Sequence, residues 1–214
     1  MSRLQFLLSL LIISFCASLF FVMQGPLLAY QLAKPITTVF ILLVPLLSPH
    51  SKETFSISQV LVGFSFCLVG DVLILWDSFF VFALASFLIG HLFFVAVLIR
   101  KGGLQLNYGI LSLLGLVALL LYAQMYPNLG KLKLPVLLYV SCIVLMCWQA
   151  LSLYVKNKNK ATYWFALGAV LFLLSDSVLG LTKFTFDFSM SSVVILTAYW
   201  GGILSIAYAT HFRI

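Results

Sequence analysis

The sequence predicts an all-α integral membrane protein, a bundle of eight transmembrane helices that forms a single domain over residues 1–214. Of the 214 residues, 64% are hydrophobic and 8% are charged, whereas soluble domains contain about 25% charged residues. The mean hydropathy is +1.19. Polar or Pro/Gly-containing breaks also divide the chain into apolar runs of roughly 20 residues, the length that crosses a bilayer.

The breaks between these runs define the order of the helices. The first run is too long for a cleaved signal peptide and is expected to remain as a helix. Pro35 lies inside the second run, where it either opens a shorter helix or kinks a longer one. A polar loop at 49–53 follows this run. The predicted helices are residues 4–23, 27–47, 57–76, 79–99, 104–124, 134–155, 161–182 and 189–210.

The distribution of basic residues predicts the orientation. An even number of helices brings both termini to one side of the membrane. That side has eight basic residues and the opposite side four, so both termini are expected in the cytoplasm, of a bacterial inner membrane in our interpretation. The eight are Arg3, Lys52, Arg100, Lys101, Lys156, Lys158, Lys160 and Arg213. Their dispersal among helix ends accounts for the formal net charge of +7 without nucleic-acid binding. The four cysteines all lie in apolar runs and are expected to be small buried residues.

The two halves of the chain have matching features. The third helix of each half carries an Asp directly after a small residue, in Gly70-Asp71 and Ser175-Asp176. The second helix of each half also has a Lys followed closely by a Pro, in Lys34-Pro35 and Lys133-Leu134-Pro135. A parallel repeat of two four-helix units would explain this. Chance similarity is the alternative, because little else links the halves.

Asp71 and Asp176 are the candidate catalytic residues. Each interrupts an apolar run, and a charge in hydrocarbon costs roughly 2.5–3.5 kcal/mol. The helical rise puts Asp71 roughly 7–8 Å, and Asp176 roughly 9 Å, from the non-cytoplasmic ends of their helices. Similar depths favour a functional pair over two neutral packing residues.

Other intramembrane polar residues have both a functional and a simpler interpretation. Lys34, Tyr139 and Tyr199 are expected in the same half of the membrane as the two acids, and His91 near its middle. Lys34 could instead extend to the lipid headgroups. His91 could hydrogen-bond a neighbouring helix, and the tyrosines could be ordinary packing residues.

A metal centre is not expected. Zinc hydrolases need three or more close ligands, but His50 and His211 are predicted toward the cytoplasmic face, away from both acids. The sequence also has no G-x-S-x-G nucleophile motif.

A series of short motifs extends over about residues 30 to 205. The segments are Tyr30-x3-Lys34-Pro35, Gly70-Asp71 with Phe80, Phe87 and His91, Pro135-Val136-x2-Tyr139 with Met146, Gly168-Ala169-x-Leu171-Phe172-x2-Ser175-Asp176-x2-Leu179-x3-Lys183-Phe184, and Thr197-x-Tyr199. In order and spacing they resemble the YhhN/lysoplasmalogenase family of membrane proteins. One departure is Trp200-Gly201-Gly202, where the family usually has a Gln-containing segment.

The resemblance implies eight helices and hydrolysis of the sn-1 vinyl ether bond of lysoplasmalogens. The products would be a fatty aldehyde and glycerophosphoethanolamine or glycerophosphocholine, with no cofactor. The expected partners are a lysophospholipid and the bilayer, with no nucleic acid and no obligate protein partner. The resemblance also implies residues that bind substrate or support the acid pair: Lys34, His91, Tyr139, Ser175, Lys183 and Tyr199.

The implied chemistry suits two carboxyl groups. A vinyl ether is cleaved when its carbon–carbon double bond is protonated and water attacks the resulting oxocarbenium ion, much as in glycoside hydrolysis. Two carboxyls that share one proton supply an acid and a carboxylate at once. The sequence does not distinguish which of Asp71 and Asp176 is the acid. One alternative is a small proton-coupled transporter, because paired membrane carboxylates also serve transport. The other is a non-enzymatic lysolipid-binding protein.

Overall fold

The structure, a computed structural model, describes residues 3–47 and 54–214, and there it confirms the predicted bundle of eight α-helices. Seven are long and apolar enough to cross a membrane, and the third is a shorter apolar helix. The predicted polar loop at 49–53 lies outside the described residues. The helices are α1 (Arg3–Gln24), α2 (Leu27–Leu43), α3 (Ile57–Leu73), α4 (Phe80–Gly102), α5 (Tyr108–Met125), α6 (Lys133–Asn157), α7 (Lys160–Phe184) and α8 (Ser191–Ala209).

Helix α3 ends three residues earlier than predicted. The backbone N–H groups of Leu75 and Trp76 donate to carbonyls three residues back, at 3.3 and 3.2 Å, so the chain tightens after Leu73. Such bonds are common where a helix ends. Asp71 is therefore two residues, rather than five, from the end of its helix. Asp176 is eight residues before the end of α7, rather than six.

Helix α5 begins at Tyr108, four residues later than predicted. The preceding apolar residues belong to a loop that side chains of α6 hold. Gln149 pairs with both the N–H and the C=O of Gln105, each at 3.0 Å. The indole of Trp148 donates to the carbonyl of Asn107 at 2.8 Å. Asn107 then caps α5 through its side chain. These hydrogen bonds pair backbone N–H and C=O groups of the loop, so this segment does not need to be helical. The start of α5 predicted from apolarity alone was therefore wrong.

Glycines allow two helix pairs to pack closely. A Cβ added to Gly90 of α4 would lie 2.9 Å from the carbonyl oxygen of Gly63 in α3, and one added to Gly168 of α7 would lie 2.7 Å from that of Gly202 in α8. Small residues at such crossings are typical of membrane helices. Gly63 and Gly168 each lie eight residues before the candidate acid of their helix. The spacing from glycine to acid is therefore the same in both halves, and the repeat stays a prediction.

Helices α1 and α5 lie on the outside of the bundle and contact α2 and α6, respectively. Ser14 and Ser18 of α1 hydrogen-bond Thr37 of α2, at 2.7 and 3.1 Å, which holds α1 in place. Cys16 lies on the exposed face of α1, whereas the other three cysteines are buried. The expectation that all four are buried is therefore wrong for Cys16.

Candidate active site

Asp71 is contacted by side chains from two other helices. Its side chain is 1% exposed. Oδ2 accepts hydrogen bonds from Thr38 of α2 at 2.6 Å and from the Tyr199 hydroxyl of α8 at 2.7 Å. Lys34 Nζ, also on α2, lies 3.4 Å from Oδ1. A cation and two donors stabilise a carboxylate and offset the cost of holding its charge away from water.

Helices α2 and α8 position these groups. Lys34 and Thr38 are one helical turn apart and so share a face of α2. Pro35 lies inside this helix, so of the two predicted alternatives the longer helix is present. Thr38 also accepts a hydrogen bond from Trp200 Nε1 at 3.1 Å. Trp200, which replaces the expected Gln-containing segment, therefore supplies a polar contact from α8.

Asp176 has fewer partners. It is partly exposed, and its Oδ2 accepts a hydrogen bond from the Tyr139 hydroxyl of α6. Among the described residues it forms no ion pair; the two ion pairs seen there involve Asp71 and Asp77. The preceding Ser175 is buried and donates to the carbonyl of Ile195 at 3.0 Å, which ties α7 to α8 next to the acid.

The two acids line one cavity of about 230 Å³. We call this cavity, formed by α2, α7, α8 and the end of α3, the vestibule. Tyr30, Gln31 and Lys34 of α2 give one wall polar character, and Phe87 and aliphatic side chains line much of the rest. The fold therefore brings both acids to one cavity.

The other residues predicted to support the acid pair differ in whether they line the vestibule. Ser175, Tyr199 and Lys34 line it, whereas His91 and Lys183 do not. His91 is fully buried and packs edge-on against Phe172, with ring centroids 4.6 Å apart. In the described part of the chain neither of its ring nitrogens has a hydrogen-bond partner, so the interhelical hydrogen bond considered for it is not observed.

Lys183 forms an ion pair outside the vestibule. Its Nζ lies 2.5 Å from Oδ1 of Asp77, and 4.7 Å from the ring centroid of Phe80. Asp77, to which the sequence assigned no role, therefore joins the turn before α4 to the end of α7. Its side chain is 93% exposed, and a pair this open to solvent contributes little to stability.

Sequence reasoning missed Thr38 and Trp200. Both residue types are common in membrane helices, and their role here depends on how α2 and α8 pack. One sequence feature could have identified Thr38: it lies one helical turn after Lys34, on the helix that also carries Pro35. Nothing in the sequence distinguished Trp200 from a packing residue.

Comparison with known proteins identifies similar chains. The model of the YhhN family matches residues 29–210. The chain is 31% identical to lysoplasmalogenase TMEM86A of Bos taurus over 160 residues, covering 71% of this chain and 65% of that protein. It is 29% identical to the human protein of the same name, covering 68% and 62%. A lysoplasmalogenase of Mycobacterium bovis is 29% identical, covering 58% and 48%. The chain thus spans less than two thirds of the length of these relatives. No solved structure matches.

Proposed function

Since the chain belongs to the YhhN family, we propose that it is a lysoplasmalogenase-like hydrolase. It would cleave the sn-1 vinyl ether of lysoplasmenylethanolamine or lysoplasmenylcholine to a fatty aldehyde and the matching glycerophospho compound. The names of the relatives support this activity. The observation that carries it is the vestibule, where two carboxyl groups with different partners line one cavity. Acid–base hydrolysis needs both groups on one bound molecule.

The difference in partners supports a division of roles. Asp71 has a cation and two hydroxyl donors, which favour its carboxylate form. Asp176 has one neutral donor and, among the described residues, no ion-pair partner to offset its largely apolar setting, and this setting favours its protonated form. In this proposal Asp176 is the proton donor and Asp71 is the carboxylate that stabilises the cation and activates water.

The two carboxyl groups can complete a balanced cycle. Asp176 protonates the outer carbon of the vinyl ether, which leaves an oxocarbenium ion beside the carboxylate of Asp71. Asp71 then takes a proton from water as the water oxygen bonds to the cationic carbon, giving a hemiacetal. Asp71 returns this proton to the departing glycerol oxygen while Asp176 accepts the hemiacetal hydroxyl proton. The aldehyde is released, and both groups regain their starting protonation states.

The neighbouring side chains would position the acids rather than react. Lys34 and Thr38 would hold the charge and orientation of Asp71. Tyr139 would stabilise the negative charge that develops on Asp176 as it gives up its proton.

The proposed orientation has both termini in the cytoplasm, in a bacterial inner membrane. The excess of basic residues on the side of the termini supports it. The vestibule is lined by residues at the start of α2 and of α8, which this orientation puts on the non-cytoplasmic side. A lysophospholipid in that leaflet would have its sn-1 bond just below its headgroup, close to the acids.

The direct test uses purified protein in detergent micelles with a 1-alkenyl lysophospholipid in D2O. The proposal predicts equimolar aldehyde and glycerophospho product. If the aldehyde is reduced at once to the alcohol, one deuterium should lie on the carbon next to the former carbonyl. A transporter needs a sealed compartment and would release no aldehyde in micelles. A binding protein would retain intact lysolipid. Either result would refute the hydrolase.

A further inference from the structure

A second, almost entirely apolar cavity adjoins the vestibule. We call this cavity, which lies between α4, α5, α6 and α7, the slot. The slot and the vestibule share Ile74, Phe87, Asp176 and Leu179 in their linings, so they meet at the proposed proton donor. The Tyr139 side chain, which donates to Asp176, also lines the slot.

The two cavities differ in width and chemistry. The slot has a volume of about 60 Å³ against about 230 Å³ for the vestibule. A buried water molecule needs roughly 10–15 Å³ of cavity volume. The slot therefore has room for roughly four to six groups of the size of a water molecule or a methylene. Among the described residues no cation lines the slot, whereas Lys34 lines the vestibule. A charged headgroup therefore fits only the vestibule, and a thin hydrocarbon chain fits the slot.

We propose that the slot binds the first carbons of the substrate's hydrocarbon chain beyond the reacting bond. The proposal rests on the proposed function for the identity of the lipid. A lysolipid whose glycerophospho part lies in the vestibule would extend its chain past Asp176 into the slot. The more distant carbons would extend beyond the slot. The slot thereby selects an aliphatic chain and sets the reacting carbons against the acid.

Gly180 lines the slot, where it has no side chain to occupy the space. It lies on α7, facing α5, and a Cβ added there would lie 2.8 Å from the sulfur of Met125. A larger residue at 180 would fill the slot unless Met125 moved. Gly115 on α5 is a matched control, because a Cβ there meets nothing within 4 Å and the residue lines a different, outward-facing groove.

The test measures binding of a saturated 1-O-hexadecyl lysophospholipid, an ether without the reactive double bond, to Gly180→Leu and Gly115→Leu proteins. Burying one methylene strengthens binding about fourfold, so excluding two or more should weaken binding by Gly180→Leu at least about tenfold. Gly115→Leu should remain within about twofold of the unmodified protein. Adding Met125→Ala to Gly180→Leu should recover most of the affinity, which also shows that the variant is folded.

Two results would overturn the slot assignment: unchanged affinity of Gly180→Leu, or equal losses in both leucine variants. Binding without turnover separates the two proposals. If the protein binds the hexadecyl lipid through the slot but releases no aldehyde from the vinyl ether, the hydrolase fails and the slot stands. If Gly180→Leu cleaves the vinyl ether as fast as the unmodified protein, the slot fails and the hydrolase stands.

Discussion

Asp71 and Asp176 occupy equivalent helices in the two halves of the chain, yet their surroundings differ. Asp71 is buried and contacted by Lys34, Thr38 and Tyr199. Asp176 is partly exposed and accepts one hydrogen bond from a tyrosine of α6. In each half, the helix before the acid-bearing helix supplies a hydroxyl donor. Asp71 additionally has a cation, Lys34 of α2, and a second hydroxyl donor, Tyr199 of α8.

One motif thus has two different sets of partners, to which the proposed mechanism assigns two chemical roles. In both helices a small residue followed by Asp brings a carboxyl group to the vestibule, and the neighbouring helices supply different partners to it. Acid–base chemistry at one substrate needs one protonated and one ionised carboxyl group, which two neighbouring carboxyls supply when they share one proton. In the proposed mechanism the unequal partners determine which of the two acids keeps that proton.

The largest effect is expected when either acid is made neutral. Asp176→Asn removes the proton donor and Asp71→Asn removes the carboxylate, so each should reduce aldehyde release by about 10²- to 10⁴-fold. Steady-state assays on purified protein measure this. Asp77→Asn is the control, because Asp77 is a carboxylate of the same chain that lies outside the vestibule, and it should stay within about twofold. Near-normal turnover by Asp176→Asn would remove the proposed difference in role.

A second prediction concerns the cation found in only one half. Lys34→Met leaves the Asp71 charge buried without its ion-pair partner, which should destabilise the protein by about 3–5 kcal/mol. The turnover number should fall about 10- to 100-fold, which corresponds to the free energy that a hydrogen bond to a charged group contributes. Unfolding in denaturant and the turnover number measure the two effects. Lys183→Met, which breaks the exposed pair with Asp77, should change both far less; equal losses would contradict a special role for Lys34.

The two tyrosines should respond unequally. Tyr139→Phe removes the donor that Asp176 has in the structure and should lower the turnover number about tenfold, with a smaller change in KM. Tyr199→Phe leaves Asp71 with Thr38 and Lys34, so the loss should be about threefold. The ratio of the two losses is the informative quantity. A larger loss in Tyr199→Phe would reverse the proposed ranking of the two environments.

The smallest effect is expected at Trp200. Trp200→Phe keeps an aromatic ring but removes the N–H that hydrogen-bonds Thr38, which itself donates to Asp71. A neutral hydrogen bond contributes about 0.5–1.5 kcal/mol. Because this one acts on Asp71 only through Thr38, turnover should fall about threefold or less, the low end of that range. Thr38→Val, which removes the donor itself, should cost more. Equal effects in the two variants would mean that Trp200 acts through packing.

The sequence predicted the fold and the two acids for the same physical reason. Uninterrupted apolar runs of this length form helices in a bilayer. A carboxyl group within such a run costs free energy, so its presence indicates a function. Lys34 was predictable on the same grounds. Helix limits were less accurate where local hydrogen bonds override apolarity, as they do before Tyr108 and after Leu73.

The remaining features of the site depend on contacts between helices. Thr38 and Trp200 carry no charge and no distinctive motif, so only the packing of α2 against α8 reveals their hydrogen bonds. The unequal partners of the two acids are likewise a tertiary property, because the motifs around them look alike. Gly180 gave no signal in the sequence, since its importance comes from the position of Met125 on α5.

The central claim is that both acids act on one bound substrate in a single reaction, and a double-mutant comparison tests it most directly. Single-turnover aldehyde release would be measured for Asp71→Asn, Asp176→Asn and the protein carrying both changes. Residues that act as a unit lose activity non-additively, so the double variant should be about as slow as the slower single variant. Losses that multiply in the double variant would show independent actions and would contradict a shared reaction in the vestibule.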